Sequence, residues 1–193
     1  RKWVQDEIKR ARKVKCSAFV VTIDSTLASK KYKTLLDRYD ARKYGRRSNF
    51  NNIKKEIFYP SWDNIKWLKN KLGNLPLIIK GIMHPDDAVK AFKVGVKYVW
   101  ISNHGGRVFE SNVSSLESLQ KIRKKVGKKK FLIFDGGVRT GSDMVKAIHA
   151  GADLIAIGRP IIYGLIANGS KGIFDTLKLL EEEYISSKIL SGH

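Results

Sequence analysis

The sequence has one cysteine, four prolines and fewer than half as many acids as bases. A lone thiol, Cys16, excludes an internal disulfide and suits a reducing compartment. No apolar run approaches the ~18–20 residues that a membrane-crossing helix requires. Zinc-finger cysteine spacing, an RNP-like aromatic motif and a separate basic tail are all missing, which removes the commonest nucleic-acid modules. The expected location is intracellular, in the cytoplasm or peripheral at the inner face of a membrane. What the chain has in excess is positive charge: 38 Lys+Arg against 18 Asp+Glu, a formal +20. The lysines are spread in short runs such as Lys30-Lys31 and Lys128-Lys129-Lys130. That distribution reads first as a solvated surface, with a polyanion site as the alternative.

At 193 residues, 42% hydrophobic and 29% charged, the chain suffices for one domain, 1–193, with its own core. Strand-length apolar runs recur at Ala18–Ile23, Leu77–Ile79, Tyr98–Ser102, Phe131–Phe134 and Leu154–Ile157. They are continuously apolar, as in strands of a parallel sheet covered on both faces. Helical spacing separates most of them: Ala88, Val89 and Phe92 after Pro85; Leu116, Leu119 and Ile122 after Ser114 or Ser115; Met144, Val145 and Ile148 after a cap expected at Ser142. Strand–helix alternation of this kind makes an α/β fold. Polar or glycine residues follow all five strands: Thr22 and Asp24, Lys80-Gly81, Ser102-Asn103-His104, Asp135-Gly136-Gly137, and Gly158-Arg159. Five such strand ends favour the mouth of a barrel over the single crevice of an open sheet. A complete (β/α)8 barrel needs ~250 residues and eight strands. The expectation is therefore the C-terminal five strands or so of a TIM barrel, with an open five-stranded sheet as the alternative. The stretch Ser25–Asn74 has little strand character. It reads as a long basic loop at the mouth, ending in a helix from Trp62 to Leu72 capped by Ser61.

Three constellations bear chemistry. Asp135-Gly136-Gly137-Val138-Arg139 and Gly158-Arg159-Pro160 combine glycines, helix starts and two arginines, a donor set for phosphate. Tight capped turns are the bland reading of either motif alone. Ser102-Asn103-His104-Gly105-Gly106-Arg107 puts a histidine beside a guanidinium, which suits proton removal next to a carboxylate; a structural histidine is the alternative. Thr22 and Asp24 share one side of a strand, so Asp24 is placed to orient His104 or merely to cap a turn. Lys80 at its strand end needs an anionic partner, either a ligand or a neighbouring carboxylate.

Together, Pro76–Gly81, Ile101–Arg107, Phe134–Gly141 and Gly158–Pro160 resemble the FMN-dependent α-hydroxy-acid oxidases and dehydrogenases. The resemblance runs from about Ala18 to the end and weakens inside Ser25–Tyr59. It implies oxidation of an (S)-2-hydroxy acid to a 2-oxo acid on FMN, with oxygen, a quinone or a cytochrome as final acceptor, in a protein that is often a tetramer. It implies that His104 is the base and Asp24 its partner, and that Arg107 holds the substrate carboxylate. Thr22, Lys80 and Ser102 would meet the flavin ring; Asp135, Gly136, Gly137, Arg139, Gly158 and Arg159 would hold the ribityl phosphate. Where the family usually has an Arg-Arg pair, this chain has Lys30-Lys31. Lys31 would keep the charge at the substrate but lose the forked donor. The family's first three strands have no counterpart, which implies a piece of a longer protein, inactive alone. Two other readings stand beside this one: another FMN barrel, such as a type 2 isopentenyl-diphosphate isomerase relative, or a basic module binding nucleic acid or anionic lipid.

Overall fold

The computed structural model describes residues 2–25, 61–109 and 113–192. Lys31 and most of the Ser25–Asn74 stretch lie outside the described residues. Helix α1 (Lys2–Lys13) leads into β1 (Phe19–Thr22). Then follow α2 (Trp62–Leu72), β2 (Leu77–Ile82), α3 (Pro85–Lys93), β3 (Tyr98–Ile101), α4 (Ser115–Val126), β4 (Phe131–Phe134), α5 (Gly141–His149), β5 (Leu154–Ile155) and α6 (Arg159–Leu190). All strand pairs are parallel and the spatial order is β1-β2-β3-β4-β5. The chain thus repeats one strand–helix unit, and the described sheet is an open arc with β1 and β5 as its edges.

Side chains alternate across each strand. On the helix side Leu77, Ile79, Ile82, Val99, Ile101, Leu132 and Phe134 are buried against Leu68, Leu72, Ala88, Ala91, Leu119 and Ile122. Each Leu or Ile so removed from water contributes roughly 1.5–3 kcal/mol. On the other side Val20, Phe131 and Leu154 are 44%, 39% and 52% exposed. The continuous apolar runs predict strands covered on both faces. Only the helix face is fully covered among the described residues, because an arc covers its inner side only on closing.

Helix starts follow local capping chemistry. The Ser61 hydroxyl accepts from Asn64 N at 3.2 Å and the Ser114 hydroxyl from Glu117 N at 3.1 Å, as expected. His84 Nδ1 does the same for Asp86 N ahead of Pro85. The expected cap at Ser142 is corrected to Thr140, whose hydroxyl accepts from Asp143 N at 3.2 Å. Asp143 closes the box by accepting from Thr140 N, so the helix begins two residues earlier. The expected elements include neither α1, although Val4, Ile8 and Ala11 stand at helical spacing, nor α6. Helix α6 breaks at Asn168-Gly169, and its arms touch where Gly164 meets Gly172. The second arm packs on α5, where Gly141 N donates to Glu183 Oε2 at 2.8 Å.

Candidate active site

The polar ends of β2, β3 and β4 are joined by one buried hydroxyl. Ser102 is fully buried. Its Oγ accepts from Lys80 Nζ at 2.8 Å and from His104 N at 3.1 Å, and donates to Asp135 Oδ1 at 2.7 Å. Lys80 Nζ also lies 3.3 Å from Asp135 Oδ2. The anionic partner that the Lys80 position demands is thus, within the chain, Asp135. The Lys80 ammonium further sits 5.3 Å from the Trp100 ring centroid. Thr22 pairs in register with Lys80 at the end of β1 and is exposed.

Beyond Ser102 the backbone makes a tight left-handed turn. His104, Gly105 and Gly106 have φ of 56°, 63° and 70°. Two glycines adopt this region freely, whereas a histidine there is strained by about 1–2 kcal/mol. The strain is opposed by bonds at both ends of the residue. Its N–H donates to Ser102, and its Nδ1 lies 3.1 and 3.2 Å from the two Asp24 oxygens. Asp24 reaches across β2 because position 81 is glycine: a Cβ there would come within 2.7 Å of Asp24 Cγ. The Ser25 hydroxyl donates to Asp24 Oδ1 at 3.0 Å and lies 3.2 Å from the same imidazole nitrogen. An ionised Asp24 accepts from Nδ1–H, which leaves Nε2 as the basic nitrogen. No spacing rule singles out Ser25 or Trp100; Trp100 becomes visible only once register places it beside Lys80.

A cavity of about 360 Å³ opens at these strand ends, within the range of small-molecule sites. His104 and Arg107 line it together with Lys80, Trp100, Asp135 and the two glycine–arginine segments. The sequence-derived site residues therefore converge on one cavity, except Thr22 and Asp24 at its margin, Ser102 beneath it, and Lys31 outside the described residues.

The donors available for an anion are specific. At α5 the backbone is already engaged: Arg139 N and Thr140 N donate to Asp143 Oδ2, and Gly141 N to Glu183. Burial pushes the Asp143 carboxyl up, but hydrogen bonds from the Arg139 backbone, the Thr140 hydroxyl and amide, and Lys146 outweigh it and hold it below its ordinary 3.8. At α6 the N-cap is Gly158, which offers no capping side chain, so the positive end of that helix faces the cavity. Arg159 makes a single long contact, 3.5 Å to Gly105 O. Neither Arg139 nor Arg159 has a carboxylate partner among the described residues. Trp100 Nε1 is buried without an acceptor among the described residues, a donor open to a ligand or water. Two unpaired guanidiniums, a free helix start and an unsatisfied N–H fit a phosphate-bearing ligand such as FMN.

The fold is that of a partial β/α barrel, and its mouth gathers donors suited to an anion. Comparison with known proteins places it more closely. The family model for FMN-dependent dehydrogenases matches residues 1–193, and the chain belongs to that family. It is 43% identical over 132 residues to 2-hydroxyacid oxidase 1 of Mus musculus, covering 68% of this chain and 35% of that protein. It is 34% identical to the 2-hydroxyacid oxidase of Dictyostelium discoideum, covering 100% of this chain and 53% of the relative. Among solved structures, a mandelate oxidase variant with (S)-mandelic acid superimposes with a TM-score of 0.84 at 30% identity, covering 97% of this chain and 55% of that one. A lactate oxidase of Pediococcus acidilactici gives 0.83 at 32%, covering 98% and 54%. The chain spans about a third to a half of the length of these relatives.

Proposed function

We propose that the protein oxidises a small 2-hydroxy acid to the 2-oxo acid with FMN as the immediate electron acceptor. The observation that carries this reading is the Asp24–His104 contact at the edge of a cavity that Arg107, Arg139 and Arg159 also enter. FMN, when bound, would accept the two electrons and one of the two hydrogens lost as the carbinol becomes a carbonyl; the other leaves as a proton. His104 Nε2 takes a proton from the substrate, and Asp24 stabilises the imidazolium formed. Arg107 binds the substrate carboxylate, which sets the carbinol against the histidine. Lys80 offers positive charge to the flavin ring, while Arg139, Arg159 and the start of α6 hold the phosphate. The names of the relatives, 2-hydroxyacid oxidase and L-lactate oxidase, support the substrate class. The His104/Arg107 pairing favours a carboxylate substrate over an isomerase's diphosphate.

Anaerobic mixing of the whole protein with glycolate, (S)-lactate and (S)-mandelate tests this. The oxidised-flavin band near ~450 nm, a property of the cofactor, should bleach with one acid and stay unchanged in His104→Ala. Flavin that binds but bleaches with none of them would sink the hydroxy-acid assignment and leave the phosphate site standing.

A further inference from the structure

The end of the molecule opposite the mouth carries a surface the oxidation does not use. Parallel strands bring all the segments that enter them to one end. The register aligns those entries, with Phe19 beside Leu77 and Tyr98 beside Phe131, so the segments emerge at nearly one level. The segments entering β1, β2, β3 and β4 contain no acid at residues 14–18, 73–76, 94–97 or 127–130. They carry instead Lys15, Lys97, Lys128, Lys129 and Lys130, all exposed. The last turns of α1 to α4 add only bases, Lys71 among them. Acids sit at the other end, in the first turns of α2 to α5. The helix dipole accounts for cations in a last turn. It does not account for lysines in the connecting segments. Among the described residues the acids that reach this end are already engaged: Asp153 ahead of β5 is held by Arg123 at 2.6 Å and by Leu132 N at 2.7 Å, Glu7 lies 2.9 Å from Arg10, and Asp86 lies 4.0 Å from Lys125.

Of the three arginines at this end, Arg10 is exposed and paired with Glu7 at 2.9 Å, whereas Arg12 and Arg123 are turned onto backbone carbonyls. Arg12 donates to Lys71 O at 2.8 Å, and Arg123 to the carbonyls of Gly127, Lys130 and Gly151. Apart from Arg10, which is engaged by Glu7, the outward cations are therefore lysines, point charges without the forked donor that reads bases. Helices meet this face by their ends, so none presents its side to a groove. Phe92, an aromatic at this end, lies under the Lys130 ammonium at 5.0 Å and is half-buried, which leaves it no open ring face for stacking a base. A broad lysine face of this kind fits a headgroup layer. We propose that the protein docks by this face on an anionic lipid surface, with its mouth directed into the aqueous phase.

Flotation of the whole protein with phosphatidylcholine vesicles and with mixed phosphatidylcholine–phosphatidylglycerol vesicles tests the proposal. Binding is expected only to the anionic vesicles, at low salt, and should fade as the Debye length shrinks. Each lysine near the surface is worth about fivefold in partitioning. The triple variant Lys97→Gln, Lys128→Gln, Lys129→Gln should therefore lose about a hundredfold while keeping its circular dichroism. Cys16, exposed in the segment entering β1, carries a reporter: a dye there should be quenched by headgroup nitroxides in the bound state. Absence of binding to anionic vesicles at low salt overturns the proposal. So does undiminished binding by the triple variant, an unquenched dye on bound protein, or tighter binding to a short DNA duplex than to the vesicles.

Discussion

Asp24 and His104 stand 80 residues apart in the chain and meet at 3.1 Å, carboxylate to Nδ1. The contact fixes which imidazole nitrogen is basic. Asp24→Asn preserves the shape but removes the charge that stabilises an imidazolium. Flavin reduction in a stopped-flow experiment should slow by about two to four orders of magnitude, with FMN affinity unchanged. An equal loss of FMN binding would make Asp24 a structural residue instead.

Among the described residues Arg159 has only a 3.5 Å contact to Gly105 O, which leaves its charge for a ligand. Replacing it by methionine removes a charged hydrogen bond worth about 1.5–3 kcal/mol. Titration of the apoprotein with FMN should then show an affinity lowered roughly 10–100-fold, since each 1.4 kcal/mol is tenfold.

The depressed Asp143 carboxyl makes stability depend on pH with a known sign. A folded pKa below the unfolded value adds stability that is present above the unfolded pKa and lost as pH falls through the folded one. Thermal melts of the wild type should therefore lose stability from about pH 4 downward. Asp143→Asn should be less stable at neutral pH and converge with the wild type in acid.

The helix crossing at Gly164 and Gly172 leaves no room for a side chain, since a Cβ on Gly164 would collide with the Gly172 carbonyl and the Thr176 hydroxyl. Gly164→Ala should cost about 1–3 kcal/mol of overpacking, read as a lowered Tm with flavin binding retained once folded.

Lys31 lies outside the described residues, and its proposed role rests on resemblance. Lys31→Arg restores a forked donor, so KM for the hydroxy acid should fall while kcat holds. An unchanged KM would remove Lys31 from the substrate site.

Much of this arrangement is legible in the sequence. Apolar strand-length runs and helical spacing are local signals, and parallel pairing follows from their alternation. That Asp24, Lys80, His104 and Asp135 converge follows in turn, because parallel strands end together. Side-chain choices at the mouth were not legible. Lys80 demanded an anion, but geometry alone shows Asp135 in that place with Ser102 between them. The cap moved from Ser142 to Thr140 because a reciprocal box with Asp143 outcompetes a lone serine. The long α6 was hidden by its own break, which interrupts the apolar spacing at Asn168-Gly169.

Ser102 binds one partner 22 residues earlier and another 33 residues later. Its hydroxyl is therefore a clasp between units that must each find their place first. Contacts so separated in sequence form late, after the chain has closed large loops. The site does not exist in a half-folded chain: β2, β3 and β4 have to dock before Lys80 meets Asp135 and His104 is held in its turn. Catalytic competence then becomes a readout of completed folding, and activity recovered during refolding should lag behind the return of helical signal.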